Sequence, residues 1–261
     1  MVKYKYACLS LLVFVISQVL GAFLLFIYSA ITGDGDSPIA MSLALMAINV
    51  IAIALGFMCK CFNRSTVFNC DGIDWRHGLL MLLPAYLGIF ATDMTSELLN
   101  ITDTMTETFQ SISSSWWGIL CIAVVGPVAE ELVYREGILG NLLRVGVNHR
   151  TAIIISSLLF GIVHLNPVQI FVASVIGIIL GVLYCRTGNV VLSSILHIIN
   201  NSIAVALIIL QTGDDQSHYY DYITKPGEVA LIIVFGIASY YGMRRLYQSY
   251  KSTSVSESIT C

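Results

Sequence analysis

The sequence predicts an all-α polytopic membrane protein, a bundle of about eight transmembrane helices with both termini cytoplasmic. Three observations predict it. Of 261 residues, 57% are hydrophobic and 11% charged, with mean hydropathy +0.82, whereas soluble domains carry about 25% charged residues. Apolar runs approaching the roughly 20 residues that a helix needs to cross the hydrocarbon layer recur eight times. The basic residues fall on alternate connections, which fixes orientation because cytoplasmic loops retain Lys and Arg.

The first run, 6–31, follows Lys3 and Lys5. Its apolar stretch exceeds the roughly 7–15 residues of a signal-peptide core, so it reads as a retained helix. Runs two and three, 38–59 and 78–95, flank a segment holding Lys60, Arg64 and Arg76. Gly33-Asp34-Gly35-Asp36, before run two, resembles the Gly-x-Gly-Asp of intramembrane aspartyl proteases, but it lies in a polar loop and reads as a turn. Asp93 reads as a solvated helix end, and Trp116 and Trp117 open run four, 114–143, as interfacial anchors. Runs five to seven, 150–165, 167–185 and 189–211, are separated only by Asn166-Pro167 and by Arg186-Thr187-Gly188-Asn189, which fits short hairpins. Run eight covers 227–246.

With the N-terminus inside, the cytoplasmic segments hold Lys3, Lys5, Lys60, Arg64, Arg76, Arg144, Arg150, Arg186, Arg244, Arg245 and Lys251, which is 11 of the 13 basic residues. Lys225 falls outside, in a loop with Asp214, Asp215 and Asp221, while His218 reads as an aqueous-loop histidine. Six of the seven cysteines, Cys261 among them, lie at or near the cytoplasmic face, where thiols stay reduced. The chain carries no internal repeat or soluble domain and reads as one integral membrane domain, 1–261, with no nucleic-acid partner.

Ionisable side chains inside such a helix are costly and usually functional. Run four contains Ala129-Glu130-Glu131-Leu132-Val133-Tyr134-Arg135-Glu136-Gly137. Glu131 and Arg135 are four apart, the spacing and order of a helical ion pair. Glu130 points about 140° away from Arg135, so it lacks a local partner and is the candidate general base. Gly126-Pro127 lies one turn earlier, where proline leaves the carbonyl of Ala123 without its donor.

Two of the five histidines, His164 and His197, lie in apolar helices. Glu130 precedes Arg144 by 14 residues and His164 follows Arg150 by 14, so each lies roughly 21 Å from the hairpin turn at about 1.5 Å per residue. Gly161, within Phe160-Gly161-Ile162-Val163-His164, leaves room for a neighbouring helix. His197 and Asn201, four apart, share a face. Convergence requires Asn166-Pro167 to lie inside the protein, since irregular backbone at membrane depth must be buried or line a wet cavity. The expected result is a water-filled site opening toward the cytoplasm.

Glu130-Glu131-x-x-x-Arg135, then Phe160-x-x-x-His164, then His197-x-x-x-Asn201, on successive membrane helices, resembles the three-motif pattern of the CAAX prenyl protease and bacteriocin-processing family, also called the Abi family. The resemblance covers roughly 114–211, the expected catalytic core. It implies an intramembrane endopeptidase in which Glu130 and His164 activate a water while His197 and Asn201 stabilise the oxyanion, with Glu131 and Arg135 supporting the site. It also implies a membrane-associated peptide or protein as substrate and, for a bacterial member, the plasma membrane as location. No metal is required by this scheme. Zinc held by Glu130, His164 and His197 is the alternative, although His-Glu-x-x-His is absent. Rival functions are a non-catalytic scaffold, regulator or bacteriocin self-immunity protein, and a proton-coupled transporter. The second lacks the repeat symmetry of transporters.

Overall fold

The computed structural model describes residues 3–68, 70–71, 73–210 and 224–249. Lys251, Cys261, His218 and the acids Asp214, Asp215 and Asp221 lie outside the described residues. The described chain forms helices α1 (Lys5–Thr32), α2 (Pro38–Met58), α3 (Arg64–Phe68), α4 (Trp75–Leu98) and α5 (Thr106–Ser113). There follow α6 (Trp116–Arg144), α7 (His149–Ile162), α8 (Pro167–Thr187), α9 (Val191–Leu210) and α10 (Lys225–Ser249).

Seven of these, α1, α2, α4, α6, α8, α9 and α10, are long and apolar enough to cross a membrane. The chain is a multi-pass integral membrane protein. The predicted span 150–165 is helical, but α7 has only 14 residues, about 21 Å of rise against a hydrocarbon layer of about 30 Å. Its start is set by Asn148, whose side chain accepts from the Arg150 N–H at 3.0 Å, so the helix cannot extend backward. Lys225 opens α10, and Gly33 ends α1 in the left-handed conformation at φ 72°, as the turn reading requires. Asp93 is half-buried, deeper than a solvated helix end, because α4 packs between α8 and α10.

Side chains on the outer faces confirm the solvent. Val19, Phe23, Phe26 and Ile31 on α1, and Ile233, Val234 and Ile237 on α10, are exposed, and apolar area of this extent suits lipid rather than water. Inside, one core gathers Phe14 of α1, Val133, Tyr134, Ile138 and Leu139 of α6, Phe160 of α7 and Tyr184 of α8. A second gathers Met81, Ala85 and Ile89 of α4 with Leu180 and Leu183 of α8 and Leu192 and Leu196 of α9. Helix α8 belongs to both. A Cβ at Gly161 would overlap Ser174 Oγ and the Ile170 carbonyl of α8, so the missing side chain sets how closely α7 and α8 approach.

Helix α6 runs through the first core and is not regular. It widens into π-helix at Cys121–Val125 and again at Leu132–Gly140, with an α-helical turn, Gly126–Glu131, between them. Both glutamates of the motif therefore lie on the regular turn, and Arg135 lies in the second widened stretch.

Below Arg135, Glu136 is a structural hub. Its carboxylate accepts from the Tyr184 hydroxyl at 2.6 Å and the Asn63 N–H at 3.1 Å and pairs with Arg144. This joins α6, α8 and the turn after α2.

Candidate active site

Glu131 is fully buried, and its Oε2 accepts from Arg135 Nε at 3.1 Å. The ion pair expected from the i,i+4 spacing is formed. Arg135, equally buried, lays its guanidinium over the Phe160 ring at 4.9 Å and reaches Ser156 Oγ at 3.5 Å. Ser156 in turn donates to the Tyr134 carbonyl at 2.7 Å. A buried cation is tolerable only when so surrounded, because desolvation costs several kcal/mol per ion, as an order of magnitude.

The second partner of Glu131 comes from α9. His197 Nδ1 lies 3.2 Å from Glu131 Oε1, while its Nε2 lies 3.6 Å from Glu130 Oε2. One imidazole thus bridges two adjacent carboxylates that diverge around the helix. Because a deprotonated carboxylate only accepts, the Nδ1–H donates to Glu131 and leaves Nε2 turned toward Glu130. Glu130, without a partner on its own helix as its position predicts, retains 23% side-chain exposure against none for Glu131. It is the partly exposed carboxylate of the pair.

Asn201 sits one turn beyond His197 and donates through Nδ2 to the Ile122 carbonyl at 3.1 Å. The local reason is Pro127. In an α-helical register proline would deprive Ala123 of a donor, but across the π-helical stretch the partner lies five residues back, and the deprived carbonyl is that of Ile122. Asn201 supplies the hydrogen bond that proline cannot. Its amide nitrogen keeps a second N–H.

His164 lies at the end of α7, its Nδ1 2.8 Å from the Phe160 carbonyl. Nδ1–H is therefore the donor and Nε2 is left available. The Phe160 ring meets His164 and His197 edge-on, with centroids 5.1 and 5.7 Å apart. Phe160 thus joins the two histidines, and no hydrogen bond links the His164 ring to Glu130 directly. The structure brings Glu130, Glu131, Arg135 and His197 into polar contact. It joins His164 to them through an aromatic ring and Asn201 through the α6 backbone. Among the described residues, no three His, Cys, Asp or Glu side chains are grouped as a metal ion would require.

Beyond His164 the chain turns sharply, with Leu165 at φ 55°. Asn166 is fully buried, accepting from the Thr104 N–H at 3.2 Å and donating to Asp103 Oδ1 at 2.9 Å. The expectation that Asn166-Pro167 lies inside the protein holds for Asn166 alone: Leu165 and Pro167 on either side of it are exposed, because the short α7 ends against the loop between α4 and α5 rather than deep in the bundle.

Residues 112–203 match the family model described as Type II CAAX prenyl endopeptidase Rce1-like. The resemblance to the CAAX prenyl protease and bacteriocin-processing family holds. The matched segment overlaps nearly all of the predicted core and contains Glu130, Glu131, Arg135, His164, His197 and Asn201. A Bacillus subtilis protein named "Putative membrane peptidase YdiL" is 32% identical over 89 residues, 34% of this chain and 36% of that protein. The Lactococcus lactis UPF0177 protein YxdF is 27% identical over 172 residues, 60% of this chain and 87% of its own length. No solved structure gives a significant match.

The sequence reading missed the bridging role of His197 and the contribution of Ser156. Each contact spans helices, His197 to Glu131 across 66 residues, and no local spacing encodes it. Phe160 was legible as part of a motif but not as the support beneath Arg135.

Proposed function

We propose that the chain is an intramembrane endopeptidase that hydrolyses a peptide bond of a membrane-associated protein or peptide, in the plasma membrane of a bacterium. The observation that carries this reading is His197 held between Glu131, fully buried, and Glu130, which is partly exposed. The Rce1-like match and the name of the Bacillus subtilis relative support the same class of activity.

In this scheme Glu130 takes one proton of a water whose other O–H donates to the free Nε2 of His164, and the water oxygen attacks the scissile carbonyl carbon. The tetrahedral oxyanion faces the second Nδ2–H of Asn201 and the Nε2 side of His197, which gains its hydrogen by transfer from Glu130. Glu131 holds the His197 ring by accepting from Nδ1–H, and Arg135 holds Glu131 in turn. The C–N bond breaks as the leaving amine takes that same proton back from His197 Nε2 by way of Glu130, which leaves His197 neutral and Glu130 a carboxylate. General acid–base catalysis contributes roughly 10²–10⁴-fold, and a preorganised oxyanion donor about 10²–10³-fold. The scheme asks for no metal.

The test is quantitative proteomics of membranes from cells carrying the wild-type protein, Glu130→Gln or His164→Ala. A precursor that accumulates in both variants, with its cleaved form lost by about 10²-fold or more, is the expected result. Processing that survives Glu130→Gln would remove the base from the mechanism.

A further inference from the structure

A second polar centre lies where three membrane helices end. Lys3 precedes α1, Lys60 follows α2, and Arg144 is the last residue of α6. Alternation of the helices puts these ends on one face of the bundle, the face predicted to be cytoplasmic. Together with Arg64 they line a cavity of about 420 Å³ walled by Tyr6 and Phe62. None of the described residues lining it is acidic.

The excess of cations tends to orient a membrane protein, but orientation needs only their presence on this face. It does not require them to converge on one concavity, where like charges repel. Glu136 beneath the cavity answers Arg144 alone, and its remaining capacity is filled by Tyr184 and the Asn63 N–H. Arg144 is further fixed by Asn141 Oδ1 at 3.2 Å and Thr66 Oγ1 at 3.4 Å, so it is a preset fork at the cavity floor. Lys60 and Arg64 are exposed and have no carboxylate partner among the described residues. Four cations against one carboxylate leave three positive charges unanswered.

We propose that this cavity binds a phosphate group, brought either as the headgroup of an anionic phospholipid in the adjoining leaflet or as a free phosphate anion. The depth favours the lipid: helix ends lie at headgroup level, basic pockets between helix ends suit acidic headgroups, and the rings of Tyr6 and Phe62 offer an apolar wall to the glycerol and upper acyl chain.

The experiment is thermal unfolding of the full chain in neutral detergent, followed by tryptophan fluorescence while phosphatidylglycerol, phosphatidylcholine or sodium phosphate is titrated at constant ionic strength. Phosphatidylglycerol should raise the midpoint saturably and phosphatidylcholine should not. Each removed cation should weaken the apparent affinity about fivefold, so Lys60→Gln with Arg64→Gln loses about 25-fold while its midpoint without lipid stays at the wild-type value. Lys60→Arg with Arg64→Lys retains the response, and so does Arg244→Gln with Arg245→Gln on the exposed end of α10. A shift reproduced by sodium phosphate assigns the free anion, and one seen only with phosphatidylglycerol assigns the lipid. An equal response to phosphatidylcholine, no response to either phosphate source, or an unchanged response in the Lys60/Arg64 neutral variant overturns the proposal.

Discussion

Replacing Arg135 by Met tests the buried core of the site most directly. Arg135 and Glu131 are both fully buried and 3.1 Å apart, so the substitution keeps much of the side-chain volume over Phe160 while leaving a carboxylate in the bundle with His197 as its remaining charged partner. Breaking a buried pair from one side costs about 3–5 kcal/mol. At roughly 2–4 °C per kcal/mol for a chain of this size, the unfolding midpoint should fall by roughly 6–20 °C. The double variant Arg135→Met with Glu131→Leu removes the stranded charge. It leaves only His197 Nδ1 without its acceptor, at about 1–3 kcal/mol, so it should be more stable than Arg135→Met alone. Thermal unfolding in detergent, read by tryptophan fluorescence, measures all three proteins. On the proposed mechanism the double variant regains stability but not cleavage, because the acceptor that holds the Nδ1–H of His197 is gone. A double variant no more stable than the single one would refute the claim that the pair is held by mutual neutralisation.

Asn201→Ala should cost about 1–3 kcal/mol, since it strands the Ile122 carbonyl, and lower turnover by about 10²–10³-fold; a variant with wild-type turnover removes Asn201 from the oxyanion site. Pro127→Ala restores an N–H that competes with Asn201 for that carbonyl, so stability should hold within about 1 kcal/mol, the usual net worth of one hydrogen bond, while cleavage slows. Unchanged cleavage would show that the π-helical stretch does not position Asn201. Dialysis against a chelator should leave cleavage unchanged. Loss restored by zinc would refute the metal-free scheme.

Much of the fold was written in the pattern of apolar runs, because lipid leaves a backbone few options other than helix. All eight predicted runs contain helix, and the boundaries near Pro38, Pro167 and Gly188 coincide with residues that start or stop helices for local reasons. The Glu131–Arg135 pair was equally legible, since both partners lie on one helix four residues apart. What escaped was set between helices or by register. The π-helical stretches of α6 shift the deprived carbonyl from Ala123 to Ile122, and only the presence of Asn201 on a facing helix makes that register affordable. His197 could be placed on a shared face with Asn201, but its two carboxylate contacts depend on how α9 packs against α6. Glu136 had no role assigned from the sequence, and its burial against Tyr184 is again a matter of a neighbour distant in the chain.

The brevity of α7 reaches beyond the protein itself. A rod of 14 residues falls about 9 Å short of an ordinary bilayer core, and lipids meet such hydrophobic mismatch by thinning locally. Helix α7 carries Phe160 and leads into His164, so the thinnest annulus of the membrane should surround the chemistry. Acyl-chain length then becomes a determinant of how readily water and an extended polypeptide arrive there, and reconstitution in progressively thicker bilayers should slow turnover without touching a single side chain.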